Sequence, residues 1–338
     1  MLSDRKDAYE KTGETLYVTP AEYKKREESK WLSEIDALAL CNVQMNLNKA
    51  YSRFFDKISD FPKFKKKGYR NSYTTNYVNN NIKLDGDRLT LPKIPGQVKI
   101  VAHRKIEDGG KIKSVTITRE PNDKYYASIL FEFPLKQIKP SDDINKSVGL
   151  DMKLRGLYVS SNKEEANYPD YYRKNETRLA WEQRKLSRKK KDSNNYEKQR
   201  KKVAKVHAKT THQRNDFLHK KSRELVNKYD YIFIEDLDMQ EMSKSINHES
   251  HGKSVYDVGW GEFTSMLSYK MKNSGGHLIK VDKWFPSSKT CCECGYVHHE
   301  LKESERTFVC PHCGNVMDRD YQSAVNIKVE GLHMVMTA

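Results

Sequence analysis

Apolar positions along the chain change their period several times, and each change predicts a different kind of element. Leu40, Val43, Leu47, Ala50 and Phe54 recur at steps of three and four, one stripe of a helix. Residues 1 to about 60 read as helical, and Pro62 ends that run. From Tyr73 to Pro134 the pattern is short strands broken by turn signals at Asp85-Gly86, Pro95-Gly96, Gly109-Gly110 and Pro121-Asn122-Asp123. Val115 and Ile117 alternate with Thr116 and Thr118, and Tyr125 to Phe131 follows across a turn. That pair predicts a hairpin within a small β-barrel or sheet. After a linker at Pro140-Ser141-Asp142-Asp143, Ser147 to Asp151 predicts a short apolar strand ending in an acid, paired with Leu157 to Ser160. Residues 173–221 read as two helices broken at Ser193-Asn194-Asn195. Tyr231 to Ile234 predicts a buried strand running into Glu235-Asp236. A helix over 260–274 stops at Gly275-Gly276, and Leu278 to Asp282 is another strand. Asp318-Arg319-Asp320 opens a last helix with Ala324, Ile327 and Leu332 on or near one face.

The 338 residues suggest two domains, long enough to bury a core without disulfides. Aromatics at 10% argue against wholesale disorder. There is no apolar run of membrane-spanning length and no apolar segment after Met1, so the chain reads as a soluble, cytoplasmic protein. Its formal charge of +16 calls for a polyanion, most often nucleic acid. The charge is concentrated: residues 173–221 hold 18 Lys and Arg against 5 Asp and Glu. The densest part contains Arg184, Lys185, Arg188, Lys189 and Lys190. Such an excess is self-repelling unless phosphates neutralise it, which favours a nucleic-acid contact over a merely solvated helix pair. The basic stretch Phe61 to Gly68, taken alone, reads as a solvated loop.

Five of six cysteines fall within 23 residues; Cys41 stands apart in a helical stretch. Cys291, Cys294, Cys310 and Cys313 make two C-x-x-C pairs separated by fifteen residues. Each pair places two thiolates on one tight knuckle, and together they offer the tetrahedral four-sulfur set that Zn²⁺ prefers. Gly295 and Gly314 follow the knuckles, where a positive φ helps the turn. Disulfides are the other reading, and a cytosolic setting disfavours them. Cys292 is then a spare thiol, and His312 a knuckle residue rather than a ligand.

Asp151 and Glu235 end strands, and Asp320 starts the last helix. Strand ends of an open α/β sheet are where sites are built. Carboxylates there suit Mg²⁺, and two such ions activate water and support the leaving oxygen of a phosphodiester. Any one of the three alone reads as an ordinary solvated cap.

In combination these residues carry a resemblance. The strings Val148-Gly149-Leu150-Asp151, Ile234-Glu235-Asp236-Leu237, Pro286-Ser287-Ser288-Lys289-Thr290-Cys291, Cys294-Gly295, Cys310-Pro311-His312-Cys313-Gly314, Asp318-Arg319-Asp320 and Asn326-Ile327 stand in the order seen in one family. Phe61-Pro62-Lys63-Phe64-Lys65 and Leu186-Ser187-Arg188-Lys189 match as well. The chain resembles the TnpB family, RNA-guided DNA endonucleases of insertion sequences, also described as transposases and related to type V CRISPR effectors. The resemblance implies an α+β multidomain protein. Residues 1–66 would be a helical recognition region, 67–140 a β-barrel wedge domain, and 145–338 a RuvC-like (RNase H) α/β nuclease domain. That domain would carry the basic helical hairpin at 173–226 and a zinc ribbon at 286–317. It implies a catalytic, Mg²⁺-holding triad of Asp151, Glu235 and Asp320. Asp320 is chosen over Asp318 because the family's third acid stands two residues before an Asn followed by small residues, here Asp320-Tyr321-Gln322-Ser323-Ala324.

The implied partners are a guide RNA from the transposon end and double-stranded target DNA, with no membrane. A monomer associated with the nucleoid is expected. In such complexes base pairing reads the sequence, while the protein reads geometry and an adjacent motif. Candidate nucleic-acid contacts are Lys63, Lys65, Tyr73, Thr74, Arg184, Lys185, Arg188, Lys189 and Lys190. Family members usually begin with a further strand and helix, so part of the wedge and recognition region is expected to be missing. Gln322-Ser323 replaces the usual Asn-Ala, and Lys153 stands where many members have Gly. Rival readings are a guided repressor that does not cut, an inactive truncated remnant, and a strand-joining DNA transposase.

Overall fold

In a computed structural model, which describes residues 1–65, 71–103, 109–134, 140–153, 156–238, 258–302 and 304–337, the chain divides into two compact units, Met1–Lys136 and Gln137–Ala338. The first unit opens with α1 (Leu2–Thr12), α2 (Pro20–Tyr23), a 3₁₀ segment (Glu27–Glu34) and α3 (Ala37–Phe55). Pro20 occupies the first turn of α2, where its missing N–H costs nothing. Asp36 caps α3 by accepting from the N–H groups of Leu38 and Ala39 at 3.3 and 3.2 Å. The Asp4 carboxylate accepts from Tyr23 Oη at 2.8 Å and Arg26 Nη1 at 2.9 Å, which ties α1 to the segment around α2.

Six strands follow: β1 (Asn71–Asn76), β2 (Lys83–Asp85), β3 (Arg88–Thr90), β4 (Val98–Lys99), β5 (Lys111–Arg119) and β6 (Tyr125–Glu132). The predicted hairpin is β5–β6, in antiparallel register with Ile117 opposite Ala127. Among the described residues the strands form two three-stranded antiparallel sheets, β1-β5-β6 and β2-β3-β4, with no hydrogen-bonded ring joining them. Ile82, Leu89, Leu91 and Val115 are their shared core. Residues 66–70, 104–108 and 135–139 lie outside the described residues.

The second unit is built on one five-stranded sheet. Its strands are β7 (Ser147–Met152), β8 (Tyr158–Ser160), β9 (Glu165–Ala166), β10 (Tyr231–Glu235) and β11 (His277–Val281), in the order β11-β10-β7-β8-β9. β7, β8 and β9 form an antiparallel meander, while β10 and β11 run parallel to β7. The central strands are apolar without interruption because both faces are covered. On one face lie α4 (Tyr171–Ser187), α5 (Asn194–Lys228) and α6 (Trp260–Ser274); Leu218, Leu225, Phe263 and Leu267 pack there against Val148, Leu150, Ile232 and Ile234. Ser193 caps α5 through the Tyr196 N–H at 3.1 Å, so the polar break in the sequence is the start of the second basic helix.

After β11 come β12 (Thr307–Val309) and β13 (Val316–Asp318), an antiparallel pair, and then α7 (Arg319–Thr337). Helix α7 lies on the other face, against Tyr231, Phe233 and Val281. The approach is close. A Cβ on Gly149 would stand 2.2 Å from the Ala324 carbonyl oxygen, and one on Gly331 would stand 2.1 Å from the Phe233 ring. Only glycine admits α7 at these two points. No described helix is long and apolar enough to cross a membrane.

Candidate active site and metal centre

The two-residue period of the strands fixes which side chains meet α7. In β7, Val148 and Leu150 face α5 and α6, so Gly149 and Asp151 face α7. In β10, Ile232 and Ile234 share the first face, so Phe233 and Glu235 share the second. Ile234 is in register with Leu150 on the parallel neighbour strand. Asp151 and Glu235 therefore stand side by side at the carboxyl ends of adjacent strands, on one face. Helix α7 adds Asp320 in its first turn and Ser323 one turn later.

Two serines join the acids. Ser323 Oγ is 3.0 Å from Asp151 Oδ1 and 2.9 Å from Ser287 Oγ, and the Ser287 hydroxyl donates to Glu235 Oε1. Asn326, the next residue on that helix face, donates Nδ2 to the carbonyls of Ser287 at 2.7 Å and Thr290 at 2.6 Å. It thereby holds the loop that leads into the first cysteine knuckle. Ser287, Ser323 and Asn326 are all buried. Ser287 and Asn326 lie within the strings that carry the family resemblance and Ser323 at a departure from it, but residue type and spacing alone assign them no role.

The electrostatics follow from crowding. Burial, then the neighbouring Glu235 charge, push the Asp151 carboxyl well above its usual range; the Ser323 hydrogen bond pulls the other way, and Asp320 adds to the rise. Burial likewise raises Glu235 against the opposing Ser287 hydrogen bond. In the line Asp151–Ser323–Ser287–Glu235, the two hydroxyl groups link the two carboxyl groups. Asp320 differs, since Arg319 Nη2 at 3.4 Å and Arg306 Nη1 at 3.6 Å lie beside it. Lys153, at one of the departures from the family pattern, pairs with Glu165 at 2.8 Å.

The four paired cysteines converge. Cys291 and Cys313 Sγ are 3.7 Å apart, Cys294 and Cys310 are 3.6 Å apart, and all four lie within 4.8 Å of one another. Four thiolates about 2.3 Å from one tetrahedral zinc would be separated by about 3.8 Å. The two knuckles share one hydrogen-bond pattern. Cys291 N–H donates to Tyr296 O and Gly295 N–H to Cys291 O, matched by Cys310 N–H to Asn315 O and Gly314 N–H to Cys310 O. Gly295 and Gly314 take φ of 73° and 74°, as the turns require. Burial pushes the Cys291 thiol up, but hydrogen bonds from the backbone of Cys294 and Glu293 and from the neighbouring cysteines outweigh it and hold it below its usual range. Cys292 sits outside the set, near Met317, and His312 stacks on Tyr296 at 5.8 Å. Among the described residues, only these cysteines bring three or more ligand atoms so close.

The candidate nucleic-acid residues scatter. Lys63 and Lys65 are exposed, and Lys63 pairs with Asp60 at 3.3 Å. The Tyr73 ring is partly exposed, whereas the Thr74 hydroxyl bonds Thr116 across the β1–β5 pair at 2.8 Å. Arg184, Lys185, Arg188, Lys189 and Lys190 are exposed where α4 ends, with Lys185 Nζ 3.2 Å from the Trp181 ring centroid.

Similar proteins agree with this plan. Residues 128–246 match the OrfB_IS605 family, described as "Probable transposase", and residues 260–327 match the "Cas12f1-like, TNB domain" family. A Streptomyces pristinaespiralis protein named "Putative RNA-guided DNA endonuclease" is 35% identical over 92% of this chain and 75% of its own length. An Escherichia coli K12 protein of the same description, InsQ, is 32% identical over 93% of this chain and 79% of its own. Among solved structures, that of a Cas12f1–sgRNA–target DNA complex is similar in fold, with a TM-score of 0.56 at 14% identity, covering 97% of this chain and 78% of that one. With a sheet of this order, a C-terminal helix seated on it and a paired-knuckle ribbon between them, this chain belongs to the TnpB family of transposon-encoded proteins.

Proposed function

We propose that the protein is an RNA-guided, Mg²⁺-dependent DNA endonuclease that cuts target DNA at a RuvC-like site. The observation that carries this reading is the pair Asp151 and Glu235 on one face of the sheet, joined through Ser323 and Ser287, with Asp320 opening α7 near enough for its charge to act on Asp151. The sheet supports it: a three-strand antiparallel meander extended by two parallel strands is the RNase H-type order. The names of the relatives support it too.

The donor set fits a hard cation. Asp151 and Glu235 are crowded carboxylates whose charge is costly when buried, and a divalent cation is the natural partner for both. When bound, Mg²⁺ would supply the activated water and support the leaving 3′ oxygen. The chain's own groups prepare for that. Asp151 serves as a ligand in its carboxylate form, which burial disfavours until a cation shares the site. Ser323 and Ser287 keep the two carboxylates oriented, as outer partners of ligands do. Arg306 and Arg319 offset the charge of Asp320. Cys291, Cys294, Cys310 and Cys313 hold a structural Zn²⁺, with all four positions filled by protein. Base pairing with a guide RNA selects the DNA, while the basic surface of the second unit takes up backbone phosphates.

The test is to purify the protein from its host, sequence the RNA that accompanies it, and assay cutting of the matching DNA. One dominant RNA with a variable end is expected, with Mg²⁺-dependent cutting that Asp151→Ala abolishes and binding that it spares. Equal cutting by that variant overturns the site. Binding without cutting by the unaltered protein favours the guided-repressor reading.

A further inference from the structure

The hairpin of α4 and α5 carries a second cluster of cations, away from the tip residues Arg184 to Lys190. A notch of about 380 Å³ opens between the two helices, lined by Asn175, Arg178 and Glu182 from α4 and by Lys202, Lys205, Val206 and Lys209 from α5. Both helices present the same spacing. Residues 175, 178 and 182 make one stripe and 202, 205 and 209 the other, each at steps of three and four. Two helical stripes thus face each other across a groove.

The floor is closed and satisfied. Val206, Glu182 and Gln199 are buried, and Gln199 Nε2 donates to the Glu182 carbonyl at 3.0 Å and to its Oε2 at 2.6 Å. The single acid of the notch is therefore anchored to Gln199. Arg178, Lys202, Lys205 and Lys209 are exposed and have no ion-pair partner among the described residues. Four cations gathered about one carboxylate repel one another unless an anion joins them.

We propose that this notch is a seat for a phosphodiester backbone, built by Arg178, Lys202, Lys205 and Lys209. It rests on the nucleic-acid reading above and deepens it, because it names the residues and the part of the nucleic acid. The stripe from Lys202 to Lys209 is about 10.5 Å long at the helical rise. At ~3.4 Å of axis per phosphate along one strand, that spans about three phosphates. No aromatic ring lines the notch to stack a base, and its one amide, Asn175, is turned back on its own helix, donating from Nδ2 to the Tyr171 carbonyl at 2.8 Å. The notch reads charge and spacing rather than bases.

The experiment measures binding of the full-length protein to three mixed-sequence probes, an RNA–DNA hybrid, single-stranded RNA and single-stranded DNA, over a range of salt. Removing three phosphate contacts, in the variant with Lys202→Gln, Lys205→Gln and Lys209→Gln, lowers the slope of log affinity against log salt by about two to three for the strand the notch holds. The corresponding Lys→Arg variant retains the slope. The melting temperature of the Gln variant is unchanged or higher, since mutual repulsion has been removed. Should the triple variant fail to fold, Lys205→Gln alone lowers the slope by about one. An unchanged slope on all three probes, with the unaltered protein binding normally, overturns the notch and leaves the nuclease reading standing. If the unaltered protein binds none of the probes, the nucleic-acid reading itself falls and the notch with it.

Discussion

Two hydroxyl groups stand between the carboxylates of Asp151 and Glu235, and the burial of those carboxylates makes the site sensitive to pH. A carboxyl whose proton is held more tightly in the folded chain than in the unfolded one loses stability as pH rises. The unfolded state gives up its proton near pH 4, the folded state only later. With no divalent cation added, the protein is thus expected to melt at a lower temperature as pH rises above about 4 through the raised range of Asp151 and Glu235. Asp151→Asn removes the larger part of that dependence, so its melting temperature exceeds that of the unaltered chain by a few degrees at pH 8 and converges with it toward pH 4. Thermal unfolding at several pH values checks this, and a parallel fall in both proteins would refute it. Ser323→Ala removes the bond that pulls Asp151 down. Cutting at neutral pH is expected to drop about 10- to 100-fold, with the pH profile moved to the alkaline side. The acids were legible as strand ends and by resemblance. The serines were not, because a short hydroxyl side chain leaves no periodic trace, and only the fold reveals that residues 287 and 323 touch.

At the level of elements, the seating of α7 decides whether three carboxylates meet. Gly149 faces backbone atoms of Ala324 and Lys328, which cannot swing aside as a side chain tip can. Gly149→Ala is expected to cost about 1–3 kcal/mol by overpacking. A melting temperature lowered by several degrees, together with weakened cutting, is the outcome to look for; an unchanged melting point would show that the helix shifts freely. Most elements of the second unit were readable beforehand. Continuous apolar runs marked β7 and β10, and the polar break at residues 193–195 marked the cap of α5; in the first unit, alternation marked β5 and the turn after it marked β6. Two features escaped. The sequence drew attention to the charge-dense end of α4, whereas the concave notch needs both helices and is invisible in either alone. The β-rich segment predicted a small β-barrel or sheet, and among the described residues it forms two three-stranded sheets; their strand order escaped, because it depends on distant pairings that local turn signals do not encode.

Over the whole molecule, the cysteine ribbon and the candidate active site are physically continuous, since β13 runs directly into α7. One zinc per chain is expected by elemental analysis. Replacing Cys294 and Cys313 with serine should abolish zinc retention and cutting, while the sheet of the second unit keeps its cooperative unfolding. Retention of full cutting without zinc would show that α7 is seated by the sheet alone. The net charge of +16 sits largely on α4 and α5, so affinity for any nucleic acid should fall steeply as salt is raised. The order of these parts along the chain also sets a timetable for synthesis. The basic hairpin is complete at Lys228, and Ser323 follows 95 residues later. At ~5–20 residues per second, the ribosome needs roughly 5 to 19 s to cover that stretch. Under the function proposed above, a nascent chain would own its means of gripping nucleic acid well before α7 delivers the third carboxylate, and would hold an RNA made nearby while still unable to cut DNA.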